Sequence, residues 1–182
     1  MIIFLGLAGS GKSTQGQLLA AQLQCPWIST GNLLRQKMDS ETQEEMLEGK
    51  IVDDKRTLEV LDAEFKRIHA DKSGFVLDGS PRTMVQAQWL VKKANAGEIK
   101  IRAIVHLKVS PQVAKQRLLA RKRPDDHDSA IAERFREYED NILPIVDYLK
   151  QQGLAVYEID GNQPPQAVDK DILRALSIHN AS

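Results

Sequence analysis

The sequence predicts an α/β protein of three layers, in which a parallel sheet is flanked by helices on both faces. Short runs rich in Ile, Val, Leu and Phe recur along the chain, at residues 2–5, 75–77, 103–107 and 155–159. Each run is almost continuously apolar, which is typical of strands that are covered on both faces. Longer stretches with helical spacing separate these runs, and the alternation indicates βαβ units.

Local signals place the helices between these strands. Residues 14–23 can form a helix directly after the first strand, and Ser110, which is followed by proline, is typical of a helix start. Gly97 suits the end of a helix. A long helical pattern at residues 128–152 contains Pro144, which should kink this helix or split it in two.

The segment 29–52 is polar and helical, and it lies between the first helix and the remaining strands. Ser40 and Gln43 can form a capping box within it, and Gly49 suits a helix end. We therefore predict a small inserted subdomain here.

The composition favours a single globular domain without extended charged surfaces. The chain has 182 residues, of which 42% are hydrophobic, and its 25 basic residues are balanced by 25 acidic residues. Because no overall basic field favours polyanions, neither a nucleic acid nor a membrane surface is expected as a partner.

The opening of the chain and its single cysteine bear on where the protein is expected. Residues 1–5 are apolar but follow no basic leader and stop at Gly6, so we interpret them as a buried strand and not as a signal peptide. No apolar run approaches the roughly 20 residues that cross a bilayer. Cys25 alone can form neither an internal disulfide nor a cysteine zinc cluster. We expect a cytoplasmic protein without structural zinc.

A phosphate-binding loop follows the first predicted strand. Gly6, Gly11, Lys12 and Ser13 satisfy the pattern GxxxxGK(S/T), with an apolar strand before it and a helix after it. Such a loop turns backbone N–H groups towards phosphate, and its lysine contacts the outer phosphates. The alternative is a glycine-rich turn with a solvated Lys12. The loop alone does not identify a kinase, since GTPases and other ATPases share it.

Further motifs follow this loop along the chain. They are ISTGNLLR (28–35), GKIV (49–52), GFVLDGSPRT (74–83) and RPDD (123–126), together with Gln86, Arg134, Tyr138, Pro144, Asp160 and Gly161. These stretches resemble the ISTGDxLR, GKLV, GFLLDGFPRT and RxDD...R...Y...P motifs of the adenylate kinase family of nucleoside monophosphate kinases. The resemblance covers essentially the whole chain.

The resemblance implies a fold, a reaction and a cofactor. It implies one P-loop kinase domain over residues 1–182, with an AMP-binding insertion at 29–52 and a strongly reduced lid at 120–127. The implied reaction converts ATP and AMP into two ADP by direct in-line transfer, with Mg²⁺ as cofactor. A monomer is expected, with an oligomer as the alternative because the lid segment is so short.

The resemblance also assigns residues to each substrate. Those assigned to AMP are Thr30, Gly31, Arg35, Lys50, Ile51, Val52, Gly79, Arg82, Gln86, Arg123 and Arg134. Those assigned to ATP are Gly9, Ser10, Gly11, Lys12, Ser13, Thr14, Arg121 and Gln163. The predicted catalytic residues are Lys12, Arg82, Arg123 and Arg134, and the predicted Mg²⁺ contacts are Ser13 and, through water, Asp78. Arginine suits these roles because its planar fork binds phosphate bidentately and stays charged.

Structural roles remain open for several of these residues. Thr30 could cap the helix that follows it, and Asp78 could cap the turn after its strand. Some of the arginines could lie on solvated helix faces. The residue types alone do not separate these alternatives.

The sequence departs from the family motifs at four positions and in the lid. Ala8 replaces a proline, Ser13 a glycine, Asn32 an acidic residue and Ser80 an aromatic residue, and only residues 120–127 remain for a lid. Two alternatives therefore stay open: a kinase for another acceptor, such as UMP, CMP or a small metabolite, and a nucleotide-binding regulator with little turnover.

Overall fold

The computed structural model of the chain describes residues 1–37, 46–48 and 50–178, and in them five strands alternate with helices. The strands are β1 (Ile2–Gly6), β2 (Trp27–Ser29), β3 (Val76–Asp78), β4 (Ala103–Lys108) and β5 (Val156–Asp160). The main helices are α1 (Lys12–Gln22), α2 (Thr30–Lys37), α3 (Asp54–Arg67), α4 (Met84–Asn95), α5 (Pro111–Arg121), α6 (Asp128–Glu137), α7 (Leu143–Gln151) and α8 (Pro165–Ala175), with a π-helical turn (Tyr138–Ile142) before α7.

The five strands form one parallel sheet in the order β2-β3-β1-β4-β5. In the centre of the sheet, Ile3 of β1 pairs with Leu77 on one side and with Ile104 on the other. Parallel neighbours require crossover connections, and the helices between successive strands supply them. The predicted fold class is confirmed.

The core lies on both faces of this sheet. Ile3 faces one helix layer, where it shares a cluster with Leu61 and Leu90, whereas its neighbour Phe4 faces the opposite layer with Leu19 and Ile172. All six side chains are essentially inaccessible to solvent. Burying a side chain of this size stabilises the fold by about 1.5 to 3 kcal/mol. Adjacent residues of β1 thus pack against opposite helix layers.

The predicted strands are confirmed to within one residue at each end, but β2 was missed. Its three residues form an edge strand that pairs with β3, with Trp27 opposite Val76. So short a run, preceded by proline, has too little apolar periodicity to stand out in the sequence.

The predicted helix signals have the expected places where the structure describes them. Ser110 accepts a hydrogen bond from Val113 N as the N-cap of α5, and Gly97 has φ +75° just beyond α4. Pro144 lies in the first turn of α7, directly after the π-helical turn that interrupts the long helix. Ser40, Gln43 and Gly49 lie outside the described residues.

The carboxyl ends of the strands meet along one edge of the sheet. β1 ends at Gly6, β2 at Ser29 and β3 at Asp78. The chain leaves β1 towards β2 and β3 on one side, and β4 and β5 lie on the other, so the direction of winding switches beside β1. In open α/β sheets, ligands bind at this switch point.

Candidate active site

The loop between β1 and α1 has the conformation that its glycines permit. Gly9 has φ +82°, and a Cβ atom there would lie 2.5 Å from Ala114 O. Gly11 has φ +98° and forms the N-cap of α1, a backbone conformation that side-chain-bearing residues rarely adopt. The loop therefore runs directly into the positive end of the α1 dipole, which favours an anion.

Lys12 spans this loop. Its Nζ donates hydrogen bonds to Gly6 O at 2.7 Å and to Leu7 O at 2.9 Å. Burial lowers the pKa of Lys12 to about 8; nearby Asp78 raises this pKa, and nearby arginines lower it further. The lysine is a desolvated cation, and an anion beside it would restore its ordinary pKa.

Five arginines surround the same region. Arg82, Arg121 and Arg134 lie close enough to lower the pKa of Lys12. The pKa of Arg35 is also lowered, first by burial and then by Arg123. Together with Lys12 they make six cations around one space, an arrangement that like-charge repulsion disfavours unless an anion binds.

These cations line a cleft of about 560 Å³ that is open to solvent. This volume lies within the range of roughly 300 to 1000 Å³ that is usual for pockets binding small molecules. The predicted site residues that line it are Gly9, Gly11, Lys12, Ser13, Thr14, Thr30, Gly31, Arg35, Lys50, Ile51, Val52, Asp78, Gly79, Arg82, Gln86, Arg121, Arg123 and Arg134.

Two predicted ATP contacts do not reach this cleft. The Ser10 side chain is buried inside the loop, and its Oγ has no hydrogen-bond partner among the described residues. Gln163 Nε2 donates to Asp160 O at 3.2 Å and to Asp171 Oδ2 at 2.9 Å, which turns its amide towards α8.

Ser13 and Asp78 meet beneath the loop. Ser13 Oγ donates to Asp78 Oδ2 at 2.6 Å, and Asp78 is buried at the end of β3. The carboxylate is thus directed at the phosphate-binding loop. In the described part of the chain, no group of three or more His, Cys, Asp or Glu side chains could hold a metal by itself. One hydroxyl and one carboxylate nevertheless suit Mg²⁺, which typically keeps waters and binds phosphate as well.

Residues 122–127 connect α5 to α6, and a buried carboxylate organises them. Arg121 donates to both oxygens of Asp126, at 2.9 and 2.7 Å, and Arg134 donates to Asp126 at 3.4 Å and also to Asp125. Arg123 N donates to Asp126 as well, at 3.0 Å. Although burial opposes ionisation, these donors hold the pKa of Asp126 below its ordinary value. We call residues 122–127 the stub.

Arg82 and Arg123 are cations of the cleft that the aspartates of the stub do not hold. Among the residues that the structure describes, no carboxylate forms an ion pair with Arg82 or Arg123. Arg82 lines the cleft beside Lys12, and Arg123 faces it from the stub. Both guanidinium groups are available to an anionic ligand.

The start of α2 tests the capping role that was considered for Thr30. Ser29 Oγ accepts a hydrogen bond from Asn32 N at 3.4 Å, so Ser29 is the residue that contacts the free N–H groups of α2. Thr30 already belongs to the helix, and its buried Oγ1 has no partner within the described ranges. The Thr30 side chain therefore does not cap α2, and its hydroxyl is buried without a partner among the described residues.

Asn32 and Gln86 both hold neighbouring arginines. Asn32 Oδ1 accepts from Arg35 Nη2 at 2.7 Å, so the residue that replaces an acidic one positions an arginine. Gln86 Oε1 accepts from Arg82 N at 2.8 Å, and Gln86 Nε2 donates to Asp54 Oδ1 at 2.9 Å.

The sequence interpretation missed Arg117. This residue lines the cleft from α5, and its guanidinium donates to Gly161 O at 2.7 Å and to Asn162 O at 3.4 Å. It lies four residues before Arg121, a spacing that puts both side chains on one helix face. That spacing is the signal that could have revealed it.

The described ranges also bear on the predicted absence of a membrane span. Across residues 1–37, 46–48 and 50–178, no helix combines the length and apolar character that crossing a bilayer requires.

Comparison with known proteins agrees with this site. A family model described as adenylate kinase matches residues 4–154, which include the phosphate-binding loop, the cleft arginines and the stub. The chain belongs to the adenylate kinase family. The resemblance inferred from the sequence motifs is thereby confirmed.

Relatives that are named adenylate kinase cover nearly the whole chain. Adenylate kinase 1 of Synechocystis sp. is 37% identical over 174 residues, which are 92% of this chain and 91% of the relative. The adenylate kinase of Rhodopirellula baltica is 36% identical and covers 100% of this chain and 97% of its own. That of Corynebacterium urealyticum is 34% identical, with 96% and 98% covered. The adenylate kinase similarity thus extends beyond the matched domain to β5 and α8.

Proposed function

We propose that this chain transfers the terminal phosphoryl group of ATP directly to AMP, giving two ADP. The observation that carries the proposal is the convergence of Lys12 and five arginines on one open cleft beside the phosphate-binding loop. An oxygen of the AMP phosphate attacks the γ-phosphorus, the bond from that phosphorus to the bridging oxygen breaks, and ADP leaves. Such a reaction needs positioning and cations but no protein nucleophile.

ATP is proposed to bind on the P-loop side. Backbone N–H groups of residues 9 and 11–14 receive its phosphates, Lys12 contacts the outer ones, and Arg121 approaches from the end of α5. Arg117 lies where the base end of the donor would be, beside the carbonyl groups of residues 161–163.

AMP is proposed to bind between α2 and the start of α4. Arg35 and Arg82 receive its phosphate, with Arg123 and Arg134 near the transferred group. Thr30 and Gln86 face its base, and the remaining wall is formed by Gly31, Lys50, Ile51, Val52 and Gly79. Because the buried Thr30 hydroxyl is unpaired and Gln86 lines the cleft, polar groups are available to a base here.

Mg²⁺ is proposed to bind with ATP, held by the Ser13 hydroxyl and, through water, by Asp78. When bound, the ion neutralises charge on the outer phosphates. The hydrogen bond from Ser13 to Asp78 supports this assignment because it brings the two oxygen ligands together beneath the loop.

We propose one P-loop kinase domain over residues 1–182, with an AMP-binding insertion at 29–52, part of which lies outside the described residues, and a reduced lid at 120–127. A monomer in the cytoplasm is part of the same proposal. The direct connection of α5 to α6 through residues 122–127 supports the reduced lid, because six residues cannot fold into a domain.

A coupled assay with ATP, Mg²⁺ and a panel of monophosphates tests the proposed reaction. Formation of ADP with AMP alone is the expected result. Transfer to UMP, CMP or a phosphorylated metabolite instead of AMP would identify a different kinase. Nucleotide binding without turnover would identify a regulator.

The affinity for ATP should fall as the pH rises above about 8. The pKa of Lys12 is lowered to about 8 mainly by burial, so the free protein loses this proton at higher pH. Phosphate binds the protonated form, so the affinity should fall by up to about tenfold per pH unit, while the phosphates themselves are already ionised. Calorimetric titration in two buffers of different ionisation enthalpy should show proton uptake near pH 8. A pH-independent affinity between pH 7 and 9.5 would contradict the assignment of Lys12.

ATP hydrolysis without AMP should be a larger fraction of the transfer rate here than in a kinase with a folded lid. A closing lid excludes water from the transferred phosphoryl group. Here His127 Nε2 of the stub lies 3.2 Å from Leu47 O, and the cleft stays open to solvent. Phosphate release and ADP formation should be measured together, with a lid-bearing kinase in parallel.

A protein dilution series separates an open monomer from a site shielded by a second copy. AMP should suppress the hydrolysis by occupying the acceptor site. A monomer that hydrolyses no more ATP than the lid-bearing enzyme would contradict the prediction, because the stub alone would then exclude water from the transferred phosphoryl group.

A further inference from the structure

Gln86 is a buried side chain with three hydrogen bonds to the protein. Only 2% of the residue is exposed, yet it lines the acceptor side of the cleft. Its Oε1 accepts from Ser80 Oγ at 2.9 Å and from Arg82 N at 2.8 Å, and its Nε2 donates to Asp54 Oδ1 at 2.9 Å.

These partners fix which end of the amide is oxygen. A backbone N–H can only donate, so the atom facing Arg82 N must be the acceptor, Oε1. The Asp54 carboxylate requires a donor, which must be Nε2. Flipping the amide would break both bonds, because N–H would face N–H and oxygen would face carboxylate.

The carbonyl oxygen of Gln86 is therefore fully used. An amide oxygen has two lone pairs, and Ser80 Oγ and Arg82 N take one each. Of the two N–H groups of Nε2, one is donated to Asp54. What Gln86 can offer to a ligand is a single N–H donor.

Ser80 supplies the bond that completes this saturation. It is fully buried, and it stands where the family motif GFLLDGFPRT has phenylalanine, which has no hydroxyl to donate. The Arg82 bond comes from the backbone and is independent of side-chain identity. Ser80 thus removes an acceptor from the cleft wall in this chain.

We propose that Ser80 sets the base selectivity of the acceptor site by occupying the Gln86 carbonyl oxygen. Gln86 then donates to a ring acceptor such as adenine N1 and does not accept from the exocyclic 6-amino group. The site should take purine monophosphates that have an unprotonated N1, whether or not they carry a 6-amino group. This inference rests on the proposed function, because it takes the base of AMP to lie beside Gln86.

Thr30, which lines the cleft near Gln86, does not restore the discrimination. Thr30 has a rotatable hydroxyl, which can donate to one ligand and accept from another. It therefore does not require an amino group on the base. Ser80 acts through Gln86 and is a positioning residue.

The test compares AMP with purine riboside 5′-monophosphate, which lacks only the 6-amino group. The ratio of kcat/KM for AMP to kcat/KM for this analogue should be below about tenfold in the unaltered protein. A site that accepts a hydrogen bond from a substrate group rejects analogues lacking that group far more strongly. A ratio above about tenfold in the unaltered protein would overturn the proposal without reference to any variant.

Ser80→Ala should raise this ratio by about 3- to 10-fold, because it frees one lone pair of Gln86 Oε1 for the amino group. Thr83→Ala is the matched control. Thr83 Oγ1 also belongs to the network, where it donates to Asp54 at 2.7 Å and accepts from Gln86 N, but its loss leaves the carbonyl saturated. This control should leave the ratio unchanged even where stability falls.

Gln86→Ala should lower kcat/KM for AMP and for the analogue by the same factor, since only the bond to N1 is lost. An unchanged ratio in folded Ser80→Ala protein, or an equal rise in Thr83→Ala, would overturn the proposal. Failure of the proposed function gives a different result, since AMP itself would then not be phosphorylated in the same assay.

Discussion

Lys12→Ala should lower phosphoryl transfer by at least about 10³-fold while the protein stays folded. Removing a single donor that stabilises a transition-state charge costs roughly 10²- to 10³-fold, and Lys12 is a full charge in the phosphate-binding loop. The fold should survive, because burial lowers the pKa of Lys12 and so shows that the folded state disfavours its charge. Steady-state kinetics and circular dichroism of the same preparation measure both effects.

Lys66→Ala is a suitable control for this variant. Lys66 is an exposed lysine of α3 that pairs with Asp62, and the loss of such a pair has little effect on stability. Its activity should equal that of the unaltered protein. A folded Lys12→Ala protein that kept a tenth or more of the activity would remove Lys12 from the mechanism.

Arg82→Ala should also reduce transfer by about 10³-fold or more, which is the low end for an arginine that stabilises a phosphoryl transition state. Among the described residues its guanidinium forms no ion pair, and Glu137, a carboxylate whose pKa Arg82 lowers from nearby, keeps its neighbour Arg134 when Arg82 is removed. The turn that carries residue 82 should persist, because the backbone N–H of Arg82 donates a hydrogen bond to Gln86 Oε1 and does not depend on the side chain.

Arg82→Lys distinguishes charge from geometry in this prediction. A lysine keeps the charge but cannot bind phosphate bidentately, so activity should lie between that of the alanine variant and that of the unaltered protein. The measurement is kcat/KM for AMP at saturating ATP, with thermal unfolding as the check on folding. A loss below tenfold in Arg82→Ala would mean that the acceptor phosphate binds elsewhere.

The parts of the site that short sequence segments encode were predictable. The phosphate-binding loop could be read from four residues because its strand, turn and helix are contiguous. β2 was missed because three residues carry too little pattern. Thr30 was considered as the N-cap of α2, but the hydroxyl of its neighbour Ser29 accepts the hydrogen bond from Asn32 N. Helix propensity cannot resolve a difference of one residue at a helix end.

Partners that are distant in the chain could not be predicted. Asp54 reaches Gln86 across 32 positions, and nothing in either local sequence announces the contact. Gln86 was assigned to AMP from the motif, but the hydroxyl of Ser80 and the N–H of Arg82 occupy the oxygen end of its amide. The position of Gln86 in the cleft agrees with the motif, while its hydrogen-bonding capacity depends on the tertiary structure.

The aspartates of the stub determine the stage at which two arginine side chains lose their rotamer freedom. Arg121 and Arg134 are held by Asp126, whose side chain is fully buried, and the Arg134 side chain is only 10% exposed. Each arginine has about 2 kcal/mol of rotamer entropy to lose when it is fixed. Here that loss accompanies folding, so it does not recur at every turnover, and the phosphates meet side chains that are already ordered.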